Sequence, residues 1–405
     1  MPERIVRTLT SVDDVAGFIR CMRTGFLDPK PVTDEQAEWA LERWDLDRTW
    51  SAYEGKTQCG TARTFPSAVR LPGLDSVAVS CLTQVTVLPT HTRRGHLSSM
   101  MRAQLEAAIE AGEVASLLIA AEWPIYGRFG YGPATEWADW RADTDLVRFL
   151  DAPVGSVELV TADELVPLAA QVLERQQATR PGCIERPDWL VRIRAGADVI
   201  PGDDSKPKSR IVHFDAEGAP DGFLVYEPKE RWTGMRPENQ IEVNDDATVD
   251  AVARRELWRY ITDVDLVSEV QWEADPADAI RHQITDGRAV RQTGRWDHLW
   301  ARLLDVPAAL AARSYAASDR VVMEVVDPFL DTGGRFALDA TPDGVSCATT
   351  SESADVTLPV AVLGAAWFGG TAVRDLRVDE ETPGAVERLT RLLLWPEPPW
   401  CATDF

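Results

Sequence analysis

The sequence predicts an α+β protein of mixed sheets flanked by helices, built as two similar units followed by a third of different rhythm. Three observations carry this. Between Val77 and Ala121 a β-branched strand, a glycine turn, a helical repeat and a second strand follow one another. Residues 150 to about 288 return to the same rhythm, and from Arg291 onward short strands alternate with short helices. A chain of 405 residues also exceeds one ordinary core. The division expected is 1–149, 150–290 and 291–405.

In the first unit Val12–Thr24 and Asp34–Trp44 have helical spacing, and strands are expected near Trp50–Tyr53, Cys59–Phe65 and Val77–Val87. Pro89 ends the last of these, because proline gives the ladder no N–H. Leu97, Met101, Leu105, Ala108 and Ile109 then recur at helical spacing over Leu97–Ala111, and Ser116–Ala121 is the next strand. The second unit reads as helix Ala162–Gln177, a further helix starting at Asp188–Ile193, a hairpin of Arg210–Phe214 and Gly222–Tyr226, strand Gln240–Val243, helix Ala251–Thr262 and strand Leu266–Trp272. In the third, Trp296, Leu299, Trp300 and Leu303 predict a helix over Trp296–Leu304, and Val306–Leu310 restarts one. Short strands at Val321–Val326, Gly334–Ala340 and Val345–Thr350 precede helices at Val360–Trp367 and Val386–Leu393.

Composition bounds the function. Hydrophobic content of 45% with 26% charged residues is that of a soluble globular protein, and no run is apolar enough to span a bilayer. Met1-Pro2-Glu3-Arg4-Ile5 lacks the apolar stretch of a secretion signal, and the six cysteines form no C-x-x-C pair, so a reduced, cytoplasmic setting is expected. None of the five histidines is paired at ligand spacing, so no metal is expected. A net charge of −23 argues against nucleic acid as a partner and is compatible with drawing in cationic small molecules. No membrane partner is expected either.

Chemistry is concentrated between Val85 and Gly132. Val85 to Ser98 reads V-T-V-L-P-T-H-T-R-R-G-H-L-S, and a second string reads A-E-W-P-I-Y-G-R-F-G-Y-G. A helix starting beside Gly95 aims free N–H groups and its positive dipole end outward, and Arg93 and Arg94 add charge, so a phosphate is the natural ligand. Tyr126 and Tyr131 place two phenols just past the following strand, among Gly127, Gly130 and Gly132, which let backbone approach closely. The second unit has Asn244-Asp245-Asp246-Ala247-Thr248 where the first has its arginines. Two aspartates at a helix start would cap it and repel a pyrophosphate, which leaves one cofactor site per chain.

The first string resembles the acetyl-CoA loop of the GNAT acetyltransferase superfamily, V-x-P-x-x-(R/Q)-x-x-G-x-(G/A), with Gly95 as its first glycine; Thr92 and Leu97 depart from the pattern. P-T-H-T-R-R-G with I-Y-G-R-F-G-Y-G-P-A-T is similar to one branch, the enhanced intracellular survival (Eis) family of N-acetyltransferases, and the likeness runs through the whole chain. It implies tandem GNAT domains, the second degenerate, followed by a sterol-carrier-protein-like domain that walls the active site. It implies acetyl-CoA as donor, with contacts at Val85, Thr86, Val87, Arg93, Arg94, Gly95, His96, Leu97, Ser98, Ala121 and Glu122. Tyr126 matches the family's general acid. The family's base is a C-terminal carboxylate, and the chain ends Trp400-Cys401-Ala402-Thr403-Asp404-Phe405, so Phe405 takes that place. Its reference pKa, near ~3.5, calls for desolvation. A homohexamer is also implied. Phe26, Asp28, Trp39 and Glu397 are expected at the acceptor pocket, where aromatic and carboxylate groups would suit an aminoglycoside-like or polyamine-like cation. Transfer to protein lysines or N-termini (the tandem arrangement also resembles N-myristoyltransferases) and non-catalytic lipid binding are the alternatives.

Overall fold

The structure is a computed structural model that describes all residues except 1–2, 29, 203–205 and 342–343. The first unit runs β1 (Arg4–Thr8), α1 (Val12–Gly25), α2 (Asp34–Arg43), β2 (Thr49–Glu54), β3 (Thr57–Arg70), β4 (Ser76–Val87), α3 (His96–Glu110) and β5 (Ala115–Ile119). The Ser11 side chain caps α1 by accepting from the Asp14 N–H, and α1 buries Val15, Phe18 and Ile19. Thr33 and Gln36 close a capping box on α2. Strands β1 to β4 pair antiparallel in order, and β4 and β5 run parallel.

The units are laced together by exchanged strands. Leu299–Leu303 inserts into the first sheet between β5 and Gly132–Pro133, while Glu136–Asp143 and Val290–Asp297 join the second. The helix expected over Trp296–Leu304 is therefore corrected to the end of one strand and the whole of another. Leu299, Trp300, Ala301 and Leu303 are all buried, and a strand covered on both faces shows no alternation to set it apart from a buried helix. Asn244–Thr248, expected at a helix start, is instead the end of strand Asn239–Thr248, and Asp250 caps the helix Ala251–Thr262.

The third unit is a five-stranded sheet whose core merges with one face of the first. Val321, Leu338, Leu363 and Trp367 lie in one cluster with Phe65, Val79, Leu117 and Leu299. Its helix Val360–Ala366 comes so near that a Cβ on Gly132 would stand 2.1 Å from the Ala361 carbonyl oxygen. Gly132 thus serves packing between units, not approach to a cofactor. Among the described residues no helix is long and apolar enough to cross a membrane.

Candidate active site

Strands β4 and β5 are in register only from Val79↔Ala115 to Leu82↔Leu118. Beyond Leu82, β4 runs on to Val87 while β5 stops at Ile119. The parting coincides with a bulge. Thr61 faces Thr86 and Arg63 faces Thr83, so Gln84 and Val85 together oppose Ala62. Gln84 sits at φ +55°, and the Thr61 hydroxyl donates 2.7 Å to its carbonyl. A bulge of this kind bends the strand and frees main-chain groups from the ladder, here along Gln84–Val87. Val85, Val87 and Leu97 pack with Tyr126 in one cluster, and Thr86 lies against Gly25 at the end of α1.

The loop after β4 adopts left-handed conformations at Arg93 (φ +61°) and Gly95 (φ +87°), which turns it back over the start of α3. No side chain caps α3, so the N–H groups of His96, Leu97 and Ser98 face outward for an anion. Arg93 is exposed and has no hydrogen-bond or ion-pair partner among the described residues. Arg94, expected to share that task, is held by structure. Its guanidinium meets both Glu54 carboxylate oxygens at 3.0 Å and donates 2.8 Å to the Thr90 carbonyl. The buried His96 ring lies 3.1 Å from the same carboxylate, so Glu54, Arg94 and His96 brace the loop. Arg4, which sequence reading passed over, donates to the Arg94 carbonyl and brings a second cation to this point. Leu97, at the departure from the superfamily pattern, turns its side chain into the Tyr126 cluster and leaves the helix end open. Together these groups fit the pyrophosphate of a coenzyme A thioester.

Ala121 and Glu122 are exposed at the end of the strand, and Trp123–Tyr126 forms a short helix after them. Tyr126 is buried and lies edge-on to Tyr131, with ring centroids 6.1 Å apart. Its hydroxyl makes no hydrogen bond among the described residues. Burial, then the neighbouring Tyr131 and Glu122, push its pKa up to about 12, so the phenol keeps its proton at neutral pH. Tyr131 is different, since its hydroxyl is committed to Ser116 at 2.7 Å. Gly130 gives room to the Arg302 guanidinium.

The C-terminal tail is ordered by the second sheet and the segments beside it. Trp137 donates 2.7 Å to the Cys401 carbonyl, and Arg186 donates 3.1 Å to the Ala402 carbonyl and 3.3 Å to the Thr403 hydroxyl. His298 contacts the Thr403 carbonyl at 3.2 Å, and Arg194 holds the Asp404 carboxylate at 2.7 Å and its carbonyl at 2.9 Å. These anchors deliver Phe405 edge-on against Phe65, with centroids 5.2 Å apart. There it lines a cavity of about 600 Å³ between α1, α2, β3, β4 and the helix Asp188–Ala195. Thr83 and Gln84 of the bulge line the same cavity. The bulged strand thus separates two groups of site residues, with Tyr126 and Val85 in one cluster and Gln84 and Phe405 at the cavity.

Of the four expected pocket residues, only Trp39 lines this cavity. Phe26 is 52% exposed, and Glu397 stands 3.9 Å from Arg180, away from the lining, as does Asp28. The expected acidic side chains are nearly missing as well. Among the described residues the charged side chains of the lining are Arg23, Arg43, Arg63, Arg194, Lys206, Lys208 and Arg210 against Asp198, to which Phe405 adds the chain's terminal carboxylate. The C-terminal unit supplies Phe405 to this lining and otherwise packs behind the sheet. Sequence signals for these cations were weak, because surface arginines and cavity arginines look alike until the fold turns them inward.

Residues 6–134 and 182–304 each match the acetyltransferase (GNAT) domain, and 306–402 match the sterol carrier protein domain. The chain is 35% identical to an uncharacterized N-acetyltransferase from Streptomyces griseus, over 99% of each protein. It is 33% identical over 325 residues to the N-acetyltransferase Eis of Mycobacterium tuberculosis, covering 78% of this chain and 77% of that one. The crystal structure of Eis1 from Mycobacterium abscessus superposes with a TM-score of 0.83 at 29% identity, over 99% of this chain and 100% of the other. A GCN5-related N-acetyltransferase from Anabaena variabilis has the same fold at 17% identity, with a TM-score of 0.84 over the full length of both. With tandem GNAT units, a sterol-carrier-like domain and relatives alike along most of its length, the chain belongs to the Eis family of N-acetyltransferases.

Proposed function

We propose that this N-acetyltransferase moves the acetyl group of acetyl-CoA directly to a primary amine seated in the cavity beside Phe405. The pyrophosphate is held by Arg93 and the N–H groups of Gly95 to Ser98. The pantetheine arm lies along Val85–Val87 and past Ala121 and Glu122. Main-chain N–H groups freed by the bulge in β4 take the developing oxyanion. The Phe405 carboxylate accepts a proton from the amine, nitrogen attacks the thioester carbonyl, and Tyr126 protonates the departing thiolate. A phenol whose pKa stands near 12 is a donor at neutral pH. The observation that carries this reading is the tail, whose last residue is brought by six anchored carbonyl, hydroxyl and carboxylate groups to a cavity reaching Gln84. A frayed terminus would need none of them.

The test is thiol release from acetyl-CoA by protein with a free C-terminus, across uncharged, cationic and carboxylate-bearing primary amines. Amine-dependent release with a matching N-acetylated product is expected. Acetyl-CoA binding without release by any amine would refute transfer to amines.

A further inference from the structure

A charge withdrawn from water is costly unless it is paired, and buried arginines are nearly always paired. Arg63 is not. It is 6% exposed, and its guanidinium lies 4.8 Å from the Trp44 ring and 5.2 Å from the Trp189 ring. Among the described residues it has no hydrogen-bond or ion-pair partner, and its Nε is sealed from solvent without an acceptor. Asp45 is the carboxylate whose field it feels, and that side chain is turned to the Asp47 N–H instead. Burial lowers the pKa of Arg63 only to about 10, so the charge persists at neutral pH.

Its position is equally specific. Arg63 and Phe65 alternate onto one face of β3. Phe65 touches both Trp189, at 5.4 Å, and Phe405, at 5.2 Å. Arg63 therefore stands in the wall of the cavity that the chain's last residue also lines, opposite Thr83 at the bulge. Two indoles hold its planar fork in place, which fits two-point recognition of an anion. The Gln84 side chain adds a buried amide oxygen without a donor, ready for an N–H.

Resting on the reading that this cavity receives the amine, we infer that the acceptor carries an anionic group besides its amine and that Arg63, between Trp44 and Trp189, binds that group. A polycation would bring further positive charge to Arg63, Arg23 and Arg194. An amine with a carboxylate or phosphate neutralises the unpaired guanidinium, and Trp39 and Phe405 in the same lining offer apolar surface to the rest of it.

The test separates recognition from transfer. Full-length protein loaded with CoA is titrated in a calorimeter with N-acetyltryptophan and with N-acetyltryptamine, which differ by one carboxylate. The acid is expected to bind at least about tenfold more tightly, the scale of one charge-assisted hydrogen bond. Arg63→Gln brings the two within about threefold, while Arg63→Lys keeps part of the gap, charge without the fork. Competition identifies the anion: displacement by acetate marks a carboxylate acceptor, and displacement by inorganic phosphate alone marks a phosphorylated amine. Equal binding, tighter binding of the uncharged product, or an equal loss for both in Arg63→Gln overturns the inference. Preferential binding of the acid together with no thiol release by any amine of the panel above would leave the anion site standing and refute amine transfer.

Discussion

The two GNAT units carry the same groove and use it in opposite ways. In the first, β4 and β5 part beyond Leu82 beside a bulge at Gln84–Val85, and Gly95 leaves α3 uncapped. In the second, strands Asn239–Thr248 and Val267–Ala274 are parallel through Glu242↔Gln271, and the bulge falls at Asn244. There the Asp250 carboxylate accepts from the Val252 and Ala253 N–H groups at 2.9 Å each, closing the helix end. Val243 to Asp246 and Glu273 line a hollow of only about 60 Å³, walled also by Trp400, Ala402 and Asp404. Asp245 pairs with Arg186 at 2.7 Å, and Arg186 holds the tail. The groove proposed to take the thioester in one unit is walled by the chain's own C-terminal residues in the other. On the proposed mechanism, the second groove clamps the segment that carries the base.

If the clamp delivers the base, the largest effect comes from disturbing what it delivers. A short tag after Phe405 should lower acetyl transfer by about a thousandfold or more, within the usual range for a proton-transfer group, while acetyl-CoA binding is kept. A tagged enzyme of full activity would remove the carboxylate from the mechanism. On the other side of β4, Tyr126→Phe should lower kcat by about two to three decades with KM for acetyl-CoA nearly constant. An unchanged kcat would mean that water protonates the thiolate.

The clamp should also have a pH limit. His298 is buried under Trp137, with ring centroids 3.9 Å apart, and burial holds its pKa down to about 4. The folded state keeps the ring neutral, whereas an undocked ring takes up a proton below its ordinary value near 6.5. Docking is therefore at full strength above pH 6.5 and is lost as pH falls from 6.5 toward 4. At pH 5 the native enzyme should be about tenfold below its plateau, as the linkage of one such group allows, and His298→Gln, which donates without titrating, should hold activity to lower pH. Coincident acid limbs in the two pH–rate profiles would place the titration elsewhere.

The cofactor loop offers a finer contrast. Arg93→Ala should raise the Kd of acetyl-CoA about five- to tenfold, the worth of one charge-assisted contact. Arg94→Ala should act through the loop's bracing by Glu54, so its cost should appear in thermal stability before Kd. Equal effects on Kd would mean that Arg94 leaves Glu54 when the thioester binds.

What the sequence disclosed follows a physical line. Helices α1, α2 and Ala162–Gln177 were legible because caps and apolar spacing are local. The left-handed turn before α3 could be anticipated because its glycine and helix start are contiguous in the chain. The exchanged strands were not, since Leu299–Leu303 gains its neighbours from Ala115–Ile119, far back in the chain. Phe405 could be assigned by resemblance, but its anchors Trp137, Arg186, Arg194 and His298 come from three separate stretches with no shared pattern. The cavity's charge was misread for a related reason: a net charge of −23 describes the whole surface, whereas a lining rich in arginine is a property of one concavity.

The smallest change tests the comparison most directly. Asp250→Ala removes the cap from the helix Ala251–Thr262 and frees two N–H groups, the condition found at Gly95. The loss of one N-cap should cost about 1 kcal/mol of stability. If the cap alone kept this groove closed, the variant would gain a second, weak site for acetyl-CoA. The tail and the Arg186–Asp245 pair fill the groove independently of the cap, however, and Asp246 remains beside it, paired to Arg254 at 2.6 Å. Equilibrium dialysis should therefore give one acetyl-CoA per chain for the variant as for the native protein, with only the melting temperature lowered. A stoichiometry of two would show that a single carboxylate divides the catalytic unit from the structural one.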